Sequence, residues 1–245
     1  MIFTERTPFY LIATIFLFTA IVLSFVSTFN TKNNGADFFP SGGIYNNKEI
    51  IDDTIIDKLC WYFSQLTHHT LFLLLTYFIM ALLNVKSEKF FKMVAPLALT
   101  VSVLYFYFLY PKQQLKIHQL SFCNFFSHFM IIFLVFGELM YIKEYTFLET
   151  TNCFIFILTS LSFVLINYLL RGVWSYNLVK LDRYNGWKLV SETIIIMYIF
   201  SYMFYIIKYK EQGLGINNFL NIKKYGYFVN GIISIITFLL LENNM

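Results

Sequence analysis

The run FYLIATIFLFTAIVLSFVSTF, residues 9–29, carries no charged side chain and follows Glu5 and Arg6. A helix rises about 1.5 Å per residue, so a run of this length crosses the roughly 30 Å hydrocarbon core of a bilayer. It is too long for the apolar centre of a secretory signal and has no small-x-small cleavage pattern at its end. It therefore reads as a retained transmembrane helix.

Working outward, the same pattern recurs. Further apolar stretches lie near 60–83, 93–110, 120–142, 152–170 and 189–207, with a shorter one at 226–241. Residues 30–59 are polar and broken by Asn33-Asn34-Gly35 and Pro40-Ser41-Gly42-Gly43. They read as an extramembrane loop with a short helix around Asp52 to Lys58. The expected fold class is all-α: a polytopic membrane bundle of six to seven transmembrane helices. It forms one integral membrane domain over residues 1–245, with no internal repeat and no separate soluble domain.

Composition points the same way. The 245 residues are 58% hydrophobic and only 13% charged, whereas soluble domains carry about 25% charged residues. A chain with so little polar cover needs an apolar solvent, and each backbone crossing must then be helical to satisfy its own hydrogen bonds. The formal charge of +4 suits basic loops and shows no nucleic-acid patch. Cys60, Cys123 and Cys153 lie in or beside apolar segments. Their number and spacing make neither a disulfide framework nor a metal site, so they read as small buried apolar side chains. No cofactor and no metal are expected.

With seven spans, Lys and Arg divide equally between the face carrying the N-terminus, face A, and the opposite face B. The positive-inside rule therefore leaves orientation undecided, although the short basic loop Lys86 to Lys92 favours a cytoplasmic face A. The chemically capable residues are less evenly spread. Thr67 lies about 10 Å and His128 about 12 Å below face B by helical rise, in the second and fourth spans. All four histidines and all three tryptophans fall toward that face.

Ser121, Asn124 and His128 make one polar stripe at helical spacing. Ser160, Asn167 and Arg171 make another, and Cys60, Ser64, Thr67 and Leu71 share a face in the second span. Polar side chains in hydrocarbon turn toward the bundle interior, because lipid cannot hydrogen-bond them. The pattern predicts a polar pocket between the second, fourth and fifth spans. Taken singly, a membrane Ser or Thr is more often a packing residue bonded to its own backbone. An arginine at a helix end is more often an interface anchor. His128 is harder to read as inert, since intramembrane ionisable residues are usually functional. Glu138, some 15 Å further along by rise, lies near face A and cannot orient His128 directly, whereas Asp182 and Glu192 are on the correct side and either could.

Three segments carry a family resemblance: Phe63-Ser64-Gln65-Leu66-Thr67, Asn124-Phe125-Phe126-Ser127-His128, and Arg171-Gly172-Val173-Trp174-Ser175-Tyr176-Asn177-Leu178-Val179. Together they resemble the androgen-induced family of small multispan membrane proteins, more closely its uncharacterised bacterial relatives, over roughly residues 60 to 190. The animal members are threonine hydrolases of fatty-acid esters of hydroxy fatty acids. The resemblance implies a catalytic Thr67 and His128, membrane lipid as partner, a fatty-acyl ester as substrate, and a bacterial cell membrane as location. It places Arg171 near a substrate carboxylate and Trp174 against its chain, with Tyr176, Asn124 and Asn167 also lining the pocket. The chain departs from the pattern at Asn177 and Ile132, where the family carries proline, and in a possible extra terminal span.

Other function classes remain open. A membrane transporter or substrate-binding subunit fits the size, but Ala13 and Ala20 miss the Ala-x-x-x-Ala spacing by which vitamin-capturing subunits dock their motor. A seven-span zinc hydrolase lacks its ligand set, since 226–241 has no histidine and His68 and His69 point about 100° apart on a helix. A purely structural membrane protein is the remaining alternative.

Overall fold

The computed structural model describes residues 5–30, 54–85, 87–109, 125–143, 153–172, 174–175 and 180–211. The protein is all-helical there, with no strand among the described residues. Seven α-helices follow in order: α1 (Thr7–Asn30), α2 (Ile55–Phe63), α3 (Leu66–Leu82), α4 (Glu88–Leu104), α5 (Ile131–Leu139), α6 (Cys153–Arg171) and α7 (Tyr184–Glu211). Wider π-helical turns continue α4 at Tyr105–Leu109 and precede α5 at Phe125–Met130.

Helices α1, α4 with its continuation, α6 and α7 are each long and apolar enough to cross a membrane. The bent pair α2–α3 passes the same test of length and apolarity only when its two helices are taken together as one span. The helix over Phe125–Leu139 is apolar but shorter. The predicted span at 120–142 starts ahead of it, outside the described residues, and the predicted span 226–241 also lies outside them.

Side-chain size along α1 explains how the bundle closes. Tyr10, Ala13, Leu17, Ala20 and Ser24 recur every three or four residues and are buried, mainly against α3. Small residues on such a stripe let two backbones approach closely, which replaces the hydrophobic drive that lipid removes. The opposite face, with Leu11, Ile12, Ile15 and Phe18, is exposed and wholly apolar, as a lipid-facing surface must be.

Helix α4 lies at the centre. It touches α3, α5, α6 and α7, and every residue from Val94 to Ser102 is buried. Pro96 sits inside it. Thr100 and Ser102 bond back to the carbonyls of Pro96 and Ala98, at 2.7 and 3.1 Å.

Two polar layers interrupt this apolar core. Near face A, the Tyr77 hydroxyl of α3 donates to Glu138 of α5, and both residues are fully buried. Lys92 of α4 and Lys208 of α7 are buried as well. The second layer contains the histidines. Leu71, Leu74, Ile131, Leu134 and Val135 belong to the core cluster that lies between the two along α3 and α5.

The sequence reading runs 60–83 as one span; the structure divides it. Helix α2 starts at Ile55, inside the predicted loop, and meets α3 at an angle of 71° across Ser64 and Gln65. The start is well made: the Thr54 side chain accepts the N–H of Asp57 at 3.1 Å, and the Asp57 carboxyl suits the positive end of the helix dipole. The bend removes the helical face proposed for Cys60, Ser64, Thr67 and Leu71, because Cys60 lies on α2, Ser64 in the break, and Thr67 and Leu71 on α3.

Candidate functional site

A helix broken at membrane depth exposes carbonyls on one limb and N–H groups on the other, and lipid satisfies neither. The chain supplies partners locally. Ser64 N–H bonds the Cys60 carbonyl at 3.1 Å, and Gln65 N–H reaches that of Tyr62 at 3.4 Å. The Ser64 hydroxyl donates to the Trp61 carbonyl at 2.8 Å. Gln65 returns its own carbonyl to the N–H groups of His68 and His69, at 3.1 and 3.2 Å.

The two adjacent imidazoles complete the closure. His68 Nδ1 lies 2.7 Å from the Tyr62 carbonyl, and His69 Nε2 lies 2.5 Å from that of Phe63. A carbonyl only accepts, so each of these nitrogens carries its hydrogen. The neutral His69 ring then has Nδ1 as acceptor, and it meets the Ser160 hydroxyl of α6 at 2.7 Å. The neutral His68 ring keeps its lone pair on Nε2. Stacking holds that ring in place: Tyr62 lies 3.8 Å from it at 18°, and Trp61 meets it edge-on at 6.4 Å.

His128 enters from the π-helical turn before α5. Its ring lies flat on Tyr105, 3.8 Å away and inclined by 3°, so two π-type turns face each other through one ring pair. Such turns recur at functional sites. His128 is buried, its Nδ1 has no hydrogen-bond partner, and His68 lies within electrostatic range of it. Of the two carboxylates that could orient it, Asp182 and Glu192, neither hydrogen-bonds the ring. Asp182 is exposed on the turn before α7, and Tyr105 supports the imidazole instead.

Thr67 stands in the first turn of α3, half-buried. Its hydroxyl makes no hydrogen bond among the described residues, to His128 or to any other. Two residues earlier, Gln65 ties the break to the far end of α6 by donating from Nε2 to the Ser175 carbonyl at 3.4 Å.

That end of α6 is closed by Gly172. Its φ of +67° and its N–H bond to the Tyr168 carbonyl at 2.7 Å make a left-handed helix cap, a conformation that glycine adopts without cost. The cap leaves Arg171 as the last helical residue. The Arg171 guanidinium is ion-paired through Nε with Asp57 of α2. Its Nη1 donates to Asn167 Oδ1 at 2.8 Å, and Nη2 is buried without a partner. Beyond the cap, Trp174 folds back and stacks on Tyr168 at 4.0 Å and 11°.

The α6 stripe of Ser160, Asn167 and Arg171 thus engages the broken span residue by residue. Ser160 meets His69, while Arg171, supported by Asn167, meets Asp57. Trp174 is buried against its own helix. Asn124 and Tyr176 lie outside the described residues. Sequence reasoning missed His68, His69 and Asp57; five polar residues in six, Ser64, Gln65, Thr67, His68 and His69, were the available signal. Among the described residues no group of three or more His, Cys, Asp or Glu side chains could hold a metal ion.

Comparison with family models, curated proteins and solved structures finds no match. The chemistry of the site must therefore carry the functional argument.

Proposed function

We propose that the chain is a multi-pass protein of a bacterial cell membrane that hydrolyses lipid esters, with Thr67 as nucleophile and His128 as its base. The observation that carries this reading is the state of the Thr67 hydroxyl. Span hydroxyls commonly bond back to the carbonyl one turn earlier, as Thr70 does to Leu66 at 2.9 Å and Thr193 to Leu189 at 2.8 Å. For Thr67 that carbonyl belongs to Phe63, across the break, and His69 occupies it. The hydroxyl is left available one residue from the buried imidazole of His68.

The chemistry follows acyl transfer. Thr67 Oγ1 attacks the ester carbonyl carbon and its proton passes to His128. The ester C–O bond breaks and the alcohol leaves with that proton. Water then attacks the acyl-threonine, again through the imidazole, and the acid is released. A bond between nucleophile and base is commonly long in an empty site and tightens around substrate. His68, fixed in one tautomer by the Tyr62 carbonyl, is a second imidazole within electrostatic range of His128. The Thr67 N–H has no carbonyl a turn back within α3, so it is a candidate donor to the oxyanion. Asn167, Arg171 and Trp174 line the substrate side in this reading; Asn124 and Tyr176, which the resemblance adds to them, lie outside the described residues.

The broken span favours one rival. Discontinuous helices build the binding sites of many membrane transporters, and a chain of that kind would bind its ligand at the break without cleaving it. Labelling with a fluorophosphonate probe separates the two. Native protein should label, and Thr67→Ala and His128→Ala should not. Labelling that persists in Thr67→Ala removes this residue as nucleophile, and a folded native sample that takes no label turns the reading to binding or transport.

A further inference from the structure

A lone guanidinium near the headgroup level attracts free carboxylates, which is the role the resemblance gives Arg171. Here the protein supplies a carboxylate of its own. The Arg171 and Asp57 side chains are paired and almost closed off, at 5% and 6% exposure. The pair is electrically neutral as a unit. A second anion brought to the same guanidinium would also lie close to Asp57, and like charges repel strongly where water is excluded.

Nη2 nevertheless lacks an acceptor, and a buried donor left alone is costly. A neutral carbonyl oxygen satisfies it without adding charge. The Ser175 hydroxyl, four residues on, is likewise buried without a partner, so this end of α6 offers hydrogen bonds. Lys58, the buried cation of α2, directs its ammonium to the Phe29 carbonyl at the end of α1, 3.1 Å away.

We propose that Arg171, neutralised by Asp57, receives the carbonyl of an uncharged lipid ester, and that Asp57 disfavours lipids bearing a free acid. The proposal rests on the hydrolase reading and names its substrate class. Asp57 acts through Arg171, as a residue that sets specificity.

One ester in two forms tests it: a fatty-acid ester of a hydroxy fatty acid, as the free acid and as its methyl ester, given to the full chain in nanodiscs of uncharged lipid. Native protein should favour the methyl ester in kcat/KM by about tenfold, given what like-charge contact costs in recognition. Asp57→Asn should reverse that preference, whereas a merely structural role would lower both rates and leave their ratio unchanged. If Asp57→Asn does not insert, native hydrolysis is challenged with oleate and methyl oleate, and methyl oleate must be the stronger inhibitor. Preference for the free acid by the native protein overturns the specificity alone. Turnover of neither form by folded protein overturns the hydrolase reading and the specificity with it.

Discussion

Replacing Tyr77 by Phe removes one oxygen from the centre of the bundle and little else. The ring contacts of Tyr77 with Phe78 and Phe91, at centroid distances of 5.2 and 5.0 Å, survive in phenylalanine, and no cavity larger than the oxygen opens. What is lost is the hydrogen bond to Glu138 between two residues that are each 0% exposed. A bond to a charged acceptor contributes about 1.5–3 kcal/mol in water-soluble proteins. Interhelical bonds in membranes average only about 0.6 kcal/mol, with a maximum near 1.7, because the separated helices find other partners. Both groups are closed off from water, where a hydrogen bond is electrostatically stronger. The expected loss is therefore near the upper membrane value, about 1.5 kcal/mol. Reversible unfolding of the detergent-solubilised protein by SDS, followed by tryptophan fluorescence, measures it. Glu138→Gln, which keeps an acceptor oxygen, should cost less than Glu138→Leu. A Tyr77→Phe loss below about 0.3 kcal/mol would show that the buried pair contributes nothing net.

Two further substitutions probe the parts of the fold that position the site. His69→Phe leaves the Phe63 carbonyl without its imidazole, while Ser160 is free to bond back to its own helix as Ser162 does to Leu158 at 3.0 Å. The loss should be about 1–3 kcal/mol, and loss of the Thr67 label should accompany it if the break holds the nucleophile in place. Gly186→Ala brings a Cβ to within 2.1 Å of the Lys180 carbonyl oxygen, so the turn that starts α7 must open. The same SDS titration should register about 1–3 kcal/mol of destabilisation.

What could be read in the sequence was whatever apolarity alone determines. The predicted spans 9–29 and 152–170 fall within a few residues of Thr7–Asn30 and Cys153–Arg171. A bilayer thickness fixes such lengths without reference to any neighbour. The break could not be read in that way. Ser64 and Gln65 are neither glycine nor proline, and hydropathy continues on both sides of them. Asp57 escaped for a related reason. A carboxylate reads as loop until its cation is known, and Arg171 lies 114 residues away. Tyr77 was hidden among many aromatic residues, although its partner Glu138 stood out as an intramembrane acid.

These misses have a common physical origin. Each concerns a polar group whose cost of burial is cancelled by a partner that the sequence does not place beside it. Hydropathy registers the cost and cannot see the partner, so it assigns such residues to a loop or to a free functional surface. Arg171 shows the consequence for function. Read alone, it is a cation awaiting a substrate; paired with Asp57, it is a neutral unit with one donor to spare. Thr67 shows the reverse. As one threonine among many in spans, it reads as a packing residue bonded to its own backbone. The break takes that bond away and gives the carbonyl to His69. Reactivity in an apolar bundle is thus set less by which polar residues are present than by which are left without a partner.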